Sequence, residues 1–494
     1  MQAIIHTVAF RGIDTVPISV QVHLSNGLPS MTIVGLADKA VAESKERIRA
    51  ALSSMGIALP AKRISVNLAP ADVTKEGAHF DLPIACGLLV AMGLVPSDAF
   101  DSMIILGELF LNGQIARVAG VLSAALYASA NQMGLVCPFV NGPEAQWAGS
   151  IAIIAAPSLI ELVSHATGKS LLPAPAQVKQ LQPKPYPDMA DVKGQETARR
   201  VIEIAATGRH HLLMIGPPGA GKSMLASRLP GLLPPLSAAE ALEVTMVHSL
   251  AGLTDYIDDN DAPIITNRPF RDLHHSASMP ALIGGGQRAK PGEISLAHYG
   301  VLFLDELPEF QRPVLDALRQ PLETGEVIIA RANHHIRYPA SFQLVAAMNP
   351  CRCGYLSDPA RACSRAPECA KSYVAKLSGP LLDRFDLMID VTELPTSQLL
   401  SEAQVEDSKM IVNRIRQAQQ FAKERPAFVP EKPELSAKAD QFLHSQFDNL
   451  NLSARGYHKI LRVARTIADL SGRERIEKAH LQEAVTYRKI RLLA

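Results

Sequence analysis

The chain has 494 residues, more than one hydrophobic core ordinarily serves, so two to four domains are expected. Apolar residues make up 47% and charged residues 20%, enough burial to fold and too much for a long disordered tail or scaffold. With a formal net charge of only +1, any contact with a polyanion must come from a local patch or a ring lumen rather than from bulk charge.

At the amino end, Arg11 and Asp14 interrupt the apolar core that a signal peptide needs. The apolar run 84–96 is too short and too broken by glycine to span a bilayer. A cytoplasmic protein with no membrane partner is expected. Segments 4–10, 18–24, 30–34 and 63–68 alternate in the manner of strands, and 37–55 and 82–92 carry helical periodicity. Residues 1–170 are therefore expected to form an α/β or α+β domain. Prolines 173, 175, 183, 185 and 187, with Pro157 just upstream, mark a stretch without period, read as a semi-rigid linker over 171–190. Beyond it, 192–207 reads as a helix and 212–215 as a short strand buried on both faces. From 394 to 494 the pattern is mostly helical, strongest over 454–468 and 480–493.

Gly216-Pro-Pro-Gly-Ala-Gly-Lys222-Ser223 fits the phosphate-loop pattern G-x-x-x-x-G-K-[ST], and it sits between the predicted strand and a helix over 224–229. In such a loop Gly216, Pro217, Pro218, Gly219, Ala220 and Gly221 present backbone to the phosphates of ATP. Lys222 reaches the β- and γ-phosphates and Ser223 ligates Mg²⁺. Val301-Leu-Phe-Leu304 reads as a buried strand ending on Asp305 and Glu306. Asp305 is expected to hold Mg²⁺ and Glu306 to orient or deprotonate the attacking water. A third strand, 342–348, ends on Asn349, a polar group placed to read a γ-phosphate; the plain alternative is an Asn-Pro turn.

Of six cysteines, Cys86 and Cys137 stand alone among apolar neighbours, whereas Cys351, Cys353, Cys363 and Cys369 fall within nineteen residues. Four thiolates at this spacing can surround a structural Zn²⁺; the alternative is reduced, unpaired thiols in a cytosolic loop. Arg352, Arg361, Arg365 and Lys371 lie among them and would give a stapled loop a basic tip suited to a phosphate backbone.

Several of these features resemble AAA+ ATPases. The resemblance makes Asn349 sensor 1, makes Arg384 in Leu381-Leu-Asp-Arg-Phe-Asp386 an arginine finger acting on a neighbouring subunit, and makes Arg455 sensor 2. Read without it, Arg384 is a surface ion-pair residue between two aspartates. Lys222 and Asp305 are 83 residues apart, which leaves room for an insert. Asn267-Arg-Pro-Phe-Arg-Asp-Leu-His-His275, Ala281-Leu-Ile-Gly-Gly-Gly286 and Pro291-Gly-Glu-Ile-Ser-Leu-Ala297 resemble the magnesium-chelatase-like branch, which bears a helix-2 insert and a β-hairpin before sensor 1, here 325–339. Asp272-Leu273 stands where that pattern has a proline before the histidines, and His274 and His275 are read as solvated or packed imidazoles.

The full order of motifs, with Leu307-Pro-Glu-Phe310, Leu318-Arg-Gln-Pro-Leu-Glu323 and Ser453-Ala-Arg-Gly-Tyr457, looks most like the ComM/YifB family of bacterial branch-migration helicases. That resemblance implies an α/β multidomain protein: a Lon-protease-like α+β amino-terminal domain, an AAA+ P-loop α/β core over 191–393 with a Cys-rich loop at 350–370, and a helical lid over 394–494 carrying sensor 2. It implies a homo-hexameric ring moving on single-stranded and branched DNA in homologous recombination and natural transformation, with a recombinase or loading partner. Lumen contacts would fall to the hairpin residues Arg331, His334, His335 and Arg337. Segments 77–85 and 106–122 resemble the Lon protease domain, but Ile84 stands at the nucleophile position and Leu122 at the general-base lysine, so protease chemistry is not expected. The rival reading is an ATP-driven remodelling or metal-chelatase-type motor subunit acting on a protein partner. Chelatase motor subunits of this kind lack both the amino-terminal domain and the cysteine cluster.

Overall fold

The computed structural model describes residues 2–175, 185–253, 264–286, 289–330, 335–356, 361–395, 405–425, 429, 434–450 and 454–488. Its amino-terminal part is built on a seven-stranded mixed sheet in the order β3-β4-β2-β1-β5-β8-β9. The strands are β1 (Gln2–Arg11), β2 (Asp14–Ser25), β3 (Ser30–Val34), β4 (Arg63–Ala69), β5 (Met103–Ile105), β8 (Gly134–Pro138) and β9 (Ile153–Ala156). A small ladder of β6 (Glu108–Leu109) and β7 (Ile115–Ala116) lies beside it. Alternation along β2 buries Ile18, Val20, Val22 and Leu24 on one face. Against β1 and β2 packs the helix Asp81–Ala91, which is buried almost all round. Gly87 allows that approach, since a Cβ there would stand 2.7 Å from a Val22 methyl. Asp81, the one carboxylate of this helix, is fully buried and paired with Arg47 at 2.6 Å.

The four amino-terminal strands and two helices predicted from periodicity are found within a few residues of the expected bounds. Strands β5, β8 and β9 were not predicted. They are short, and β8 is buried along its whole length, so it carries no alternation to read.

The second unit is a five-stranded parallel sheet in the order β11-β14-β17-β10-β18. Its strands are β10 (Leu212–Ile215), β11 (Phe270–Leu273), β14 (Val301–Leu304), β17 (Gln343–Met348) and β18 (Leu387–Asp390). Two antiparallel pairs interrupt the chain between them, β12 (Gly284–Gly285) with β13 (Lys290–Pro291) and the hairpin β15 (Glu326–Ala330) with β16 (His335–Pro339). Helices Ser408–Glu424, Ala454–Leu470 and Lys478–Thr486 share one apolar core with helix Glu196–Gly208 and one face of this sheet.

The carboxyl end of the proline-rich segment is built into this unit. Met189 is fully buried, the Tyr186 hydroxyl donates to the Arg268 carbonyl at 3.1 Å, and Asp188 accepts from the Ser408 amide at 2.8 Å. Proline's fixed φ holds these side chains in place without further backbone ordering. No helix among the described residues is long and apolar enough to cross a membrane.

The amino-terminal domain touches the hairpin and the helix Ala238–Ala251 of the second unit. The turn between β1 and β2 presses Gly12 (φ +66°) onto the Arg337 carbonyl of β16, an approach that leaves no room for a Cβ. At the end of helix Ala238–Ala251, the Ser249 hydroxyl donates to Glu144 at 2.5 Å and accepts from the Gly120 amide at 3.2 Å. Glu144 also accepts from the Asn141 amide at 3.1 Å. Burial pushes the Glu144 carboxyl above its ordinary range, against the pull of the Ser249 and Asn141 hydrogen bonds. Glu144→Ala is expected to destabilise the chain by about 1–3 kcal/mol in urea unfolding, because it leaves two buried donors unpaired. Because the folded pKa is raised, this group's contribution is full below its ordinary 4.5 and declines as pH rises through the folded value. The stability of Glu144→Gln relative to wild type should therefore increase with pH.

Candidate functional site

In a parallel sheet every strand ends at the same edge, and here the carboxyl ends of β10, β17 and β14 lie side by side. From β10 the chain enters the loop 216–221 and then helix Lys222–Leu232. Gly219 and Gly221 adopt φ of +79° and +89°, which side-chain-bearing residues rarely hold, and Gly216 lies too close to the Val391 carbonyl to carry a Cβ. A glycine turn feeding a helix amino terminus turns backbone N–H groups towards one point and makes an anion site.

Lys222 is almost entirely buried beneath this loop. Its ammonium donates to the carbonyls of Gly216 and Pro217, each at 2.8 Å, and to Asn349 Oδ1 at 3.2 Å. Burial pushes its pKa down, while the charges of Asp305 and Glu306 pull it back up. Ser223 donates to Asp305 Oδ2 at 2.9 Å, and the other oxygen of Asp305 accepts from the Glu306 amide at 2.8 Å. The Ser223 hydroxyl and the Asp305 carboxylate thus meet at one place, a hard oxygen donor set that fits Mg²⁺.

Glu306 stands just past β14 with φ +52°, a conformation that a residue of this kind adopts only when its surroundings enforce it. Its Oε2 lies 3.1 Å from His275 Nδ1. The pairing explains this, for Leu273 is in register with Leu304, so two residues beyond each strand the histidine meets the glutamate. The His275 ring lies 4.1 Å from that of His274, tilted by 35°, and meets Phe310 edge-on at 81°. To the sequence reading of a solvated or packed imidazole the structure adds, for His275, the contact with Glu306. No sequence signal marked this contact, which acquires meaning only once β11 is known to lie beside β14.

Beside the loop opens a cavity of about 910 Å³, bounded by Gln195, by the end of β18 around Thr392 and by Ile411 and Arg414 of the lid. Gln195 joins its walls, its side-chain amide donating to the carbonyls of Ala220 at 3.2 Å and Thr392 at 2.7 Å. Sequence reasoning missed this chamber, since its lining comes from three separated segments without a motif.

Arg384 and Arg455 are brought together, but not at this edge. The Arg384 guanidinium pairs with Glu323, and a guanidinium nitrogen of Arg455 lies 3.8 Å from the same carboxylate oxygen. Arg384 precedes β18, whose first residue pairs with the first of β10, so it sits at the amino-terminal edge of the sheet. Four residues of strand, about 13 Å, separate that edge from the phosphate loop.

The sulfurs of Cys351, Cys353 and Cys369 lie within 4.8 Å of one another, with Cys363 in hydrogen-bonding contact with Cys353 and Cys369. The Cys351 hydrogen bond leads the effects that pull the Cys353 thiol down to about 6. Three converging soft donors with a fourth cysteine beside them suit a zinc ion by donor chemistry. Of the hairpin residues, Arg331 and His334 lie outside the described residues, His335 opens β16, and Arg337 is exposed on it. Ile84 and Leu122 are both fully buried.

A phosphate loop after β10, an acidic pair after β14 and a polar residue after the intervening β17 together define a P-loop nucleotide-binding protein of the AAA+ class. The magnesium chelatase subunit ChlI family matches residues 188–399 and its carboxyl-terminal region matches 405–488, while the subunit ChlI of Mg-chelatase description matches 20–141. The chain is 44% identical to the competence protein ComM of Haemophilus influenzae over 99% of its own length and 98% of that protein's. It is 42% identical to YifB of Escherichia coli, covering 99% and 97%. A magnesium-chelatase 38 kDa subunit of Rhodobacter capsulatus is 25% identical over 61% of this chain and 87% of its own. The chain therefore belongs to the ComM/YifB family of magnesium-chelatase-like AAA+ proteins.

His275→Ala removes the group that holds Glu306. It is expected to lower kcat for ATP hydrolysis by about tenfold at unchanged KM. A raised KM at unchanged kcat would instead make His275 a wall of the pocket.

Proposed function

We propose that the chain is an ATP-driven motor that assembles as a homo-hexameric ring on single-stranded and branched DNA and promotes branch migration. The observation that supports the ring is the convergence of Arg384 and Arg455 on the Glu323 carboxylate at the sheet edge opposite the phosphate loop. Such a subunit has its phosphate cradle and acidic pair at one edge and two arginines gathered on one carboxylate at the other, so head-to-tail packing of copies would complete each site. In this reading Arg455 serves the neighbouring subunit's site, as Arg384 does. The DNA part of the reading rests on the chain's likeness to a competence protein over nearly its whole length.

In the proposed cycle the loop amides and Lys222 hold the β- and γ-phosphates, and the chamber beside Gln195 takes the adenosine. Ser223 and Asp305 would hold Mg²⁺, which supplies charge neutralisation on the phosphate oxygens. Glu306, steadied by His275, orients the attacking water and takes its proton, and Asn349 holds the γ-phosphate beside it. Arg384 and Arg455 of the next subunit stabilise the charge that builds on the transferred group. Zinc at Cys351, Cys353, Cys363 and Cys369 is structural. The amino-terminal domain is a Lon-like fold that performs no proteolysis, for Ile84 and Leu122 offer no nucleophile and no base. Arg331, His334, His335 and Arg337 are assigned to the lumen, the protein to the cytoplasm, and a recombinase or loading factor to the list of partners.

ATP turnover is expected to rise on addition of single-stranded or branched DNA. Glu306→Gln should retain ATP binding, lose turnover by roughly a hundredfold or more, and fail to move a three-stranded or Holliday junction substrate. Turnover indifferent to every DNA would refute the motor and favour the remodelling or chelatase-type reading, with a protein client. Ring completion has its own test: Arg384→Ala and Lys222→Ala are each expected to be inactive alone, and mixing them should restore turnover at the junctions where an intact loop faces an intact arginine.

A further inference from the structure

The cysteine loop, which the sequence pointed towards DNA, is built against the nucleotide cleft. It leaves β17 directly after Asn349, the residue bonded to Lys222. The knuckle then folds back, with the Gly354 amide donating to the Cys351 carbonyl at 3.0 Å. Gly354, at φ +86°, rests on the phosphate loop so closely that a Cβ there would stand 2.6 Å from Pro218 Cδ. Further on, Arg361 stacks over the Tyr355 ring at 4.3 Å and pairs with Glu393 at 2.6 Å. Glu393 follows Thr392, whose carbonyl is bonded to Gln195 at the adenosine side. One loop therefore packs on the phosphate loop through Gly354 and, through the pairing of Arg361 with Glu393, on the segment whose Thr392 borders the chamber.

We infer that the four-cysteine loop, closed by zinc, is a clasp that sets the geometry of the nucleotide cleft, so that zinc occupancy controls ATP affinity. This rests on the ATP and zinc readings above. The link is mechanical. Gly354 is held by the Cys351 carbonyl and its packing on Pro218, and Arg361 by Glu393 and Tyr355; joining Cys353, Cys363 and Cys369 to the buried Cys351 through one ion would cross-link these two contact points and fix them relative to the sheet.

The test uses the full-length chain, its zinc content measured after purification, and a fluorescent ATP analogue titrated before and after treatment with a zinc-selective chelator. One zinc per chain is expected, with affinity roughly tenfold weaker after extraction and recovered on adding zinc back. Gly354→Ala and Arg361→Ala leave every thiol in place. Both should weaken binding at unchanged zinc content, and far-UV circular dichroism distinguishes this from unfolding. Zinc present and removable with no change in affinity, or both variants binding like wild type, would overturn the clasp while leaving the zinc and ATP readings standing. A chain purified without zinc overturns the metal reading and the clasp with it, and a wild-type chain that binds no nucleotide overturns the ATP reading.

Discussion

Parallel strands deliver their carboxyl ends to one edge, and the chemistry of this protein depends on that constraint. Three adjacent strands, β10, β17 and β14, finish on Gly216, Asn349 and Asp305, and the buried ammonium of Lys222 ties the first two together. A charge with that little access to water persists only with several acceptors around it, and two backbone carbonyls and the Asn349 amide oxygen fill that role. The same regularity keeps Arg384 away. A residue that precedes β18 must lie at the edge opposite one that follows β10, whatever its side chain.

Around this sheet the chain adds parts at places where they meet the cleft or its inserts. The cysteine loop begins where β17 ends and rests on the phosphate loop. His275 reaches Glu306 from the end of β11. The amino-terminal domain grips the Arg337 strand of the hairpin through Gly12 and the end of the helix Ala238–Ala251 through Glu144 and Ser249. The contact at Gly12 also places the Arg337 strand of the hairpin beside the amino-terminal sheet.

Much was legible from one dimension because the information there is local. A phosphate loop needs glycines in a row, a buried parallel strand needs a run of apolar residues, and a turn of Asp and Glu after such a strand marks the sheet edge. Lys222, Ser223, Asp305, Glu306 and Asn349 were each named from a few neighbouring residues, and the structure assembles all five. The four cysteines were legible by their crowding. The amino-terminal strands that alternate were legible too, whereas β5, β8 and β9, buried and short, were not.

Sequence alone thus singled out the residue types suited to phosphate and divalent metal and their order along the chain. Tertiary structure decided which distant residues meet. It placed His275 on Glu306, set Arg384 and Arg455 on one carboxylate far from their own phosphate loop, turned the cysteine loop towards the cleft, and joined Gln195 to Ala220 and Thr392. The physical reason is that strand order and register are properties of pairing between segments far apart in the chain. No local pattern records which strand lies beside which, and every one of these contacts follows from that order.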